Sequence, residues 1–330
     1  MQRRHVLSYA TALCALGLDA PLWAQPANAP AALPLGKSYK IIAPSSPGGI
    51  LDLTSRLLAK SLGERVGQPV IVDNRGGAGG TLGIQAMLQA EPDGRTLVMG
   101  SLGPNAANYT LQSKLPYTDA DMTAVIHVLS MPDVVVVNAN LPVNSLEDLK
   151  KYAASKPQGL SMAVSTSGSS GHLAGAMLNQ RTGIQAVDVI YKGAAPALND
   201  LMAGQVDYMV DNLITALPLI RGGKLRAIAV TTGKRSVDLP DVPTLMELGY
   251  PDFDVAVWLG LFVSSKTPPA VVKALNAELN KVLAEPEVRK TMASQGGVAI
   301  GGSPEDFARF VQAEKTRWAE VIKAGHITAQ

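Results

Sequence analysis

From Lys37 onward the chain repeats one unit: a short β-rich run, a turn of glycines or small hydroxyl residues, and an amphipathic helix. Strand and helix in regular alternation are the mark of an α/β fold, with the helices covering the sheet. The runs expected as strands are Tyr39–Ala43, Val70–Asp73, Thr96–Gly100, Ala124–Leu129, Val134–Asn138, Leu160–Val164, Val187–Tyr191, Val206–Val210, Ala227–Thr231 and Val255–Phe262. Helices are expected over Leu51–Leu62, Leu82–Ala90, Leu146–Ser155, His172–Arg181, Ala195–Ala203 and Thr215–Arg221. Two longer ones close the chain, with apolar faces at Val272, Leu275, Leu279, Val282, Leu283 and at Phe307, Phe310, Val311, Trp318, Val321. Pro268-Pro269 and Ser303-Pro304 suit their first turns. The unbroken aliphatics Val134 to Val137 point to buried parallel strands.

So many strands exceed one small sheet. The reading divides them into a first lobe, 38–135, a second lobe, 136–254, and a return to the first over 255–330. A chain that leaves a lobe and comes back makes two crossovers, and the cleft between such lobes is a favoured place for ligands.

The first residues obey another logic. Arg3 and Arg4 precede the apolar run Val6 to Leu18, which is too short for a permanent membrane span. Residues 1–24 are therefore read as a signal peptide, cleaved after Ala24 or alternatively Ala29, and residues 25–37 as an Ala- and Pro-rich tether. The Sec route is favoured over Tat, since no Ser precedes the paired arginines and no Phe follows them. This places the protein in the periplasm. The only cysteine, Cys14, leaves with the signal, so the mature chain has no disulfide and no cysteine metal ligand.

Composition narrows the function. A hydrophobic content of 47% excludes a disordered chain. A net charge of +2 and 5% aromatics speak against nucleic acid. The glycine turns fail as nucleotide fingerprints: Gly77 and Gly79 need a third glycine where Leu82 stands, and Gly36-Lys37-Ser38 lacks the leading glycine of a P-loop. Ser167-Gly168-Ser169-Ser170-Gly171-His172 lacks the second glycine of a nucleophile elbow; Ser169 or Ser170 is expected to cap a helix whose first turn holds His172. His127 and His326 have no partner at metal-ligand spacing. No cofactor is expected.

What remains are turns at strand ends that present bare N–H groups to an anion: Pro47-Gly48-Gly49, Asn74 to Gly80, Ser165 to Ser170, and Tyr191-Lys192-Gly193. Asp211-Asn212 closes a further strand beside the same cleft.

These residues, in order, resemble a known family. The pattern comprises Pro47-Gly48-Gly49 with Asp52, Asn74-Arg75-Gly76-Gly77-Ala78-Gly79-Gly80, Pro92 to Leu97, Gly168-Ser169 with His172-Leu173, Tyr191-Lys192-Gly193 with Ala197, Gly204 to Asp207, Gly223 to Ala227, Leu239 to Thr244 with Glu247 and Gly249, and Trp258. The chain is similar to the periplasmic receptors of the tripartite tricarboxylate transporters, the Bug family. That resemblance implies an α/β periplasmic binding protein of two lobes joined by two crossover strands (type II), with the ligand cleft between them. It implies a non-enzymatic, monomeric receptor for a small carboxylate, partnered with integral-membrane permease subunits. A sensor docking on a histidine kinase is the alternative; a hydrolase using Ser170 and His172 is a distant third. By position the first lobe is expected to contribute Pro47, Gly48, Gly49, Asp52 and Ser101, and the second Thr166, Gly168, Ser169, Tyr191, Gly193 and Asp211. Ser45-Ser46 and Ile50-Leu51 depart from the family pattern, which suggests a monocarboxylate or a ligand with an apolar body rather than citrate.

Overall fold

In the computed structural model, which describes residues 33, 34, 36–325 and 327, strands and helices alternate as the pattern requires. In chain order they are β1 (Tyr39–Ala43), α1 (Ile50–Val66), β2 (Val70–Asn74), α2 (Thr81–Leu88), β3 (Thr96–Ser101), α3 (Asn108–Leu111), β4 (Met122–Asn138), α4 (Leu146–Ala154), β5 (Leu160–Val164), α5 (Ser170–Thr182) and β6 (Ala186–Ile190). There follow α6 (Ala194–Met202), β7 (Tyr208–Asn212), α7 (Leu213–Arg221), β8 (Leu225–Val230), β9 (Ala256–Ser264), α8 (Pro269–Ala284), α9 (Pro286–Ser294), β10 (Val298–Gly301) and α10 (Pro304–Ala324). The expected signal peptide with Cys14, most of the tether, and His326 lie outside the described residues.

β4 organises the sheet. The sequence suggests two strands here, Ala124–Leu129 and Val134–Asn138; between them lies Pro132, which cannot donate to a ladder. The structure shows one strand of 17 residues that changes partners at that proline. Met122–Pro132 pairs antiparallel with β9, and Asp133–Val137 pairs antiparallel with β7. The missing N–H thus falls at the changeover. Val134–Val137 are fully buried but antiparallel to β7 and β8, correcting the parallel expectation. Their side chains alternate between two separate cores, Val135 and Val137 in one, Val134 and Val136 in the other. An aliphatic run reports burial on both faces, which a central strand of either direction has.

Two further departures have local causes. β7 begins two residues later than expected because the Asp207 carboxylate folds back to accept the Ser161 N–H (2.7 Å) and hydroxyl (2.8 Å), docking the preceding turn on β5. β10 escapes a pattern search because it is four residues long, an edge strand on β4 flanked by glycines.

Register places the strand ends. β1, β2 and β3 are parallel, and β5, β6 and β7 are parallel. The carboxyl end of β3, Ser101, lies level with Leu129 of β4 through their shared partner Leu259. The carboxyl end of β7, Asn212, faces Asp133 of β4 but arrives from the opposite direction. Leu129 and Asp133 are four strand steps apart, about 13 Å. The two parallel groups therefore point their carboxyl ends at each other across the changeover of β4.

The chain recrosses this point in the segment between β8 and β9. Thr231 N–H donates to the Asp133 carbonyl (3.0 Å), the Thr231 hydroxyl accepts the Asp133 N–H (3.1 Å), and Val255 N–H donates to the Thr231 carbonyl (2.9 Å). One buried threonine pins both crossings. Elsewhere, α10 is fastened to β9 by Glu314, which accepts the indole N–H of both Trp258 and Trp318 (3.1 Å each).

Candidate functional site

The turn after β1 is shaped from within. Gly48, at φ +83°, donates its N–H to Asp52 Oδ2 (2.8 Å). Asp52 is buried at the first turn of α1 and also holds Arg56, whose Nη2 lies 2.9 Å from Oδ1. Burial opposes ionisation of Asp52, but the Arg56 hydrogen bond, the Gly48 N–H, the Asn74 side chain and the Arg56 charge together outweigh it and hold the carboxyl below its usual range. Asn74 fastens the neighbouring turn, its amide donating to the Ser45 carbonyl (3.3 Å).

The turn after β5 repeats the arrangement. Gly168, at φ +75°, donates its N–H to Nδ1 of His172 (3.0 Å), and His172 Nε2 meets Asp188 Oδ2 (3.0 Å). Ser169 caps α5, its hydroxyl accepting the His172 N–H (3.3 Å), as expected from the sequence. Both imidazole nitrogens are thus committed, and neither serves Ser170. The Tyr191–Gly193 turn is tied in by the Gly193 N–H on the Ser165 carbonyl (2.8 Å). The Tyr191 hydroxyl donates to Asp200 (2.7 Å); burial first, then that bond and charge, push it up to about 12.

The N–H groups of Gly48, Gly168 and Gly193 are therefore spent on shaping these turns. The donors left over belong to the helices: Gly49, Ile50 and Leu51 at α1, Ser170 and Gly171 at α5, Ala194 and Ala195 at α6 meet no acceptor among the described residues. Open N–H groups at helix starts are what the sequence leads one to expect; the structure adds that these remain free while those of Gly48, Gly168 and Gly193 are claimed. The first N–H groups of any helix are free, whereas those of a turn can be claimed by side chains.

The structure also adds a wall between the turns. After β3, a π-helical turn over Gly103–Ala107 leads into α3. Ser101 N–H donates to Asn105 Oδ1 (3.1 Å), and Asn108 Nδ2 donates to the Gly79 carbonyl (3.1 Å). A Cβ added to Gly103 would stand 3.4 Å from the Gly168 carbonyl oxygen, and one on Gly168 would stand 3.2 Å from Leu111. The 103–111 segment thus touches both the second glycine turn and the Gly168 turn.

Beneath them lie polar atoms without hydrogen-bond partners among the described residues: Ser167 Oγ, Asp211 Oδ1, Asn212 Oδ1 and both carboxylate oxygens of Asp133. Thr215 donates to Asp211 Oδ2 (2.6 Å). Burial pushes Asp211 up to about 6; it pushes Asp133 up to about 8 against the Ser170 side chain, which favours the carboxylate, and the Asp211 charge adds to the rise.

Over residues 54–327 the chain matches the family described as the tripartite tricarboxylate transporter family receptor. The protein belongs to that family. It is 35% identical to BugT of Bordetella pertussis over 87% of this chain and 89% of that one. An R. palustris protein solved with adipate superposes with a TM-score of 0.84 at 35% identity, over 88% of this chain and 98% of the other. MatC from Rhodopseudomonas palustris, solved with bound malate, gives 0.80 at 33% identity, over 87% and 99%. The fold is accordingly that of the two-lobed periplasmic binding proteins, and members of this receptor family are periplasmic solute receptors.

Proposed function

We propose that this receptor closes on a small carboxylate and delivers it to a membrane transporter of the tripartite tricarboxylate type. One observation carries the reading: three helix starts, at α1, α5 and α6, offer free N–H groups at strand ends that face each other across the β4 changeover. Such groups, with the helix dipole behind them, favour a carboxylate. The lobes are assigned as 38–135 with 255–330 and 136–254, hinged where Thr231 joins Asp133 and Val255. Pro47, Gly48, Gly49, Asp52 and Ser101 frame one side, and Thr166, Gly168, Ser169, Tyr191, Gly193 and Asp211 the other; the donors are the helix N–H groups beside them. Ligand that bridges the lobes shifts the population toward the closed form. With both nitrogens of His172 engaged, the imidazole does not serve Ser170 as a base, which supports binding without turnover.

The ligand is assigned an apolar body. Ile50 and Leu51 pack partly into the core beneath α1, but Leu53 and Leu82, on the first turns of α1 and α2, stand 40% and 49% exposed. Native mass spectrometry of freshly purified protein, followed by thermal shifts with adipate, malate, citrate and benzoate, tests this. A ligand at a hundredfold excess over Kd stabilises by about 2.7 kcal/mol. Adipate or benzoate is expected to shift the transition most. Citrate as the tightest ligand would remove the apolar-body assignment, and silence from all acids would remove the receptor reading.

A further inference from the structure

We infer that His172 is a positioning residue: its neutral Nε2–H form holds the Gly168 turn in the ligand-binding shape, and a second proton on the ring releases that turn. The inference rests on the carboxylate-receptor reading for its functional consequence, but its geometry stands alone.

A backbone N–H can only donate. The Gly168 N–H lies 3.0 Å from Nδ1, so that nitrogen must carry its lone pair. The ring proton then sits on Nε2, where the Asp188 carboxylate accepts it at 3.0 Å. Protonating Nδ1 would set two N–H groups head to head. The ring is 3% exposed and held by its own helix, whereas Gly168 lies in a loop, so the turn is the part that yields. Its movement is felt widely. The Gly168 carbonyl packs on Gly103, and Ser169, next in the chain, caps α5, whose Ser170 and Gly171 N–H groups are the free donors of that side.

Protons have a route to the ring away from the turn. Behind it lies a cavity of about 400 Å³, lined by His172, Asn179, Gln180, Gln185 and Asp188, with Ala324 opposite. Among the titratable groups on the elements packed around the ring, Asp188 on β6 touches it. Tyr208 on β7 gives its hydroxyl to Asn179 (2.5 Å). Asp211 lies under the helix start beside Gly171, and Asp133 neighbours Ser170. Among the described residues, the wall from the end of α10 (Ala324, Gly325 and Ile327) brings no charged side chain to the cavity.

Two measurements on the full purified chain decide the matter. Long-range ¹H–¹⁵N NMR of the unliganded protein should show an unprotonated Nδ1 at pH 7.5. Over the pH range in which acidification protonates Nδ1, Gly168 amide exchange should speed by tenfold or more. Calorimetry with adipate should show affinity falling about tenfold over the same range, the size of one lost hydrogen bond. His172→Asn places an acceptor oxygen near the Nδ1 position and does not titrate. It should recover binding at pH 7.5 relative to His172→Ala and keep only the weaker acid response that adipate's own titration imposes. His172→Ala should be weakened at both pH values. A proton on Nδ1 at pH 7.5, Gly168 exchange indifferent to acid, or an unchanged acid response in His172→Asn would each overturn the inference. If adipate, malate, citrate and benzoate all fail to bind at pH 7.5, the receptor reading falls, and the NMR measurement still decides the role of His172.

Discussion

The turn after β1 and the turn after β5 share a plan and differ in the group that holds them. In both, a glycine at positive φ donates its N–H to a side chain four residues on, in the first turn of the next helix: Gly48 to Asp52, Gly168 to His172. In both, an oppositely charged or polar partner braces the acceptor, Arg56 for the carboxylate and Asp188 for the imidazole. A carboxylate accepts at any pH above its own titration; an imidazole nitrogen accepts only while bare. The Asp52 carboxyl is held below its usual range. Its contribution to stability is therefore complete above the unfolded-state value, about pH 4, and is lost only as pH falls through the lowered native one. The first turn is a fixed frame and the second a conditional one.

The comparison breaks most visibly at the helix starts. A Cβ on Gly171 would stand 2.1 Å from the Val210 carbonyl oxygen, a backbone atom of β7 that cannot move alone. Gly171→Ala should cost about 3 kcal/mol in urea unfolding. The matching position of α1, three residues past Gly48, is Leu51, which already carries a side chain there. A loss below about 1 kcal/mol in Gly171→Ala would mean that α5 can slide, and that the second turn is not seated on the sheet.

Removing the acceptor of the first turn comes next in size. Asp52→Ala strands the Gly48 N–H and leaves the half-exposed Arg56 with Asn74 alone, and should destabilise by about 2 kcal/mol, the range for hydrogen bonds to charged groups. Asp52→Asn keeps an acceptor and should lose less. Equal losses would show that the charge, not the N–H bond, shapes the turn.

The α/β alternation and most of the strands were legible in the sequence because hydrophobic period and glycine placement are local properties. Strand partners were not. Residues 130–133 read as a break, yet Pro132 among them marks a change of partner inside one strand, and the four valines after it carry no record of direction. The candidate turns were legible as places. So were the open N–H groups of the helix starts; that the Gly48 and Gly168 N–H groups are claimed was not, because that depends on side chains reaching back across a turn. The spacing from Gly48 to Asp52 and from Gly168 to His172 is the same, and a glycine followed at the fourth position by an acceptor is the pattern that would have revealed both. The 103–111 wall left no periodic trace, since it is a five-residue π-helical turn followed by a helix of only four residues.

Between the two turns sits Asp133, fully buried at the changeover of β4. Burial, reinforced by the Asp211 charge, raises its carboxyl to about 8, above the unfolded value near 4. A raised native value means that the folded state binds the proton more tightly. The stability tied to it is complete below pH 4 and is lost as pH rises toward 8. Asp133→Asn should flatten the stability profile between those limits and leave the variant more stable than wild type at pH 8, by about 1–2 kcal/mol. An unchanged profile would assign the slope to Asp211.

The smallest effect sharpens the comparison most. Gly48 and Gly168 have nearly the same backbone conformation, φ +83° and +75°, so an alanine at either carries the same backbone strain of about 1 kcal/mol. Their surroundings differ. Nothing lies within 4 Å of a Cβ on Gly48, whereas one on Gly168 meets Leu111 Cδ1 at 3.2 Å. Gly48→Ala should therefore show strain alone. Gly168→Ala should show strain plus whatever Leu111 must yield, a few tenths of a kcal/mol for the end of a flexible side chain. Leu111→Ala in the Gly168→Ala background should return the loss at residue 168 to that of Gly48→Ala. If the two losses already agree without it, the 103–111 wall does not press on the second turn, and the two turns differ only in their acceptors.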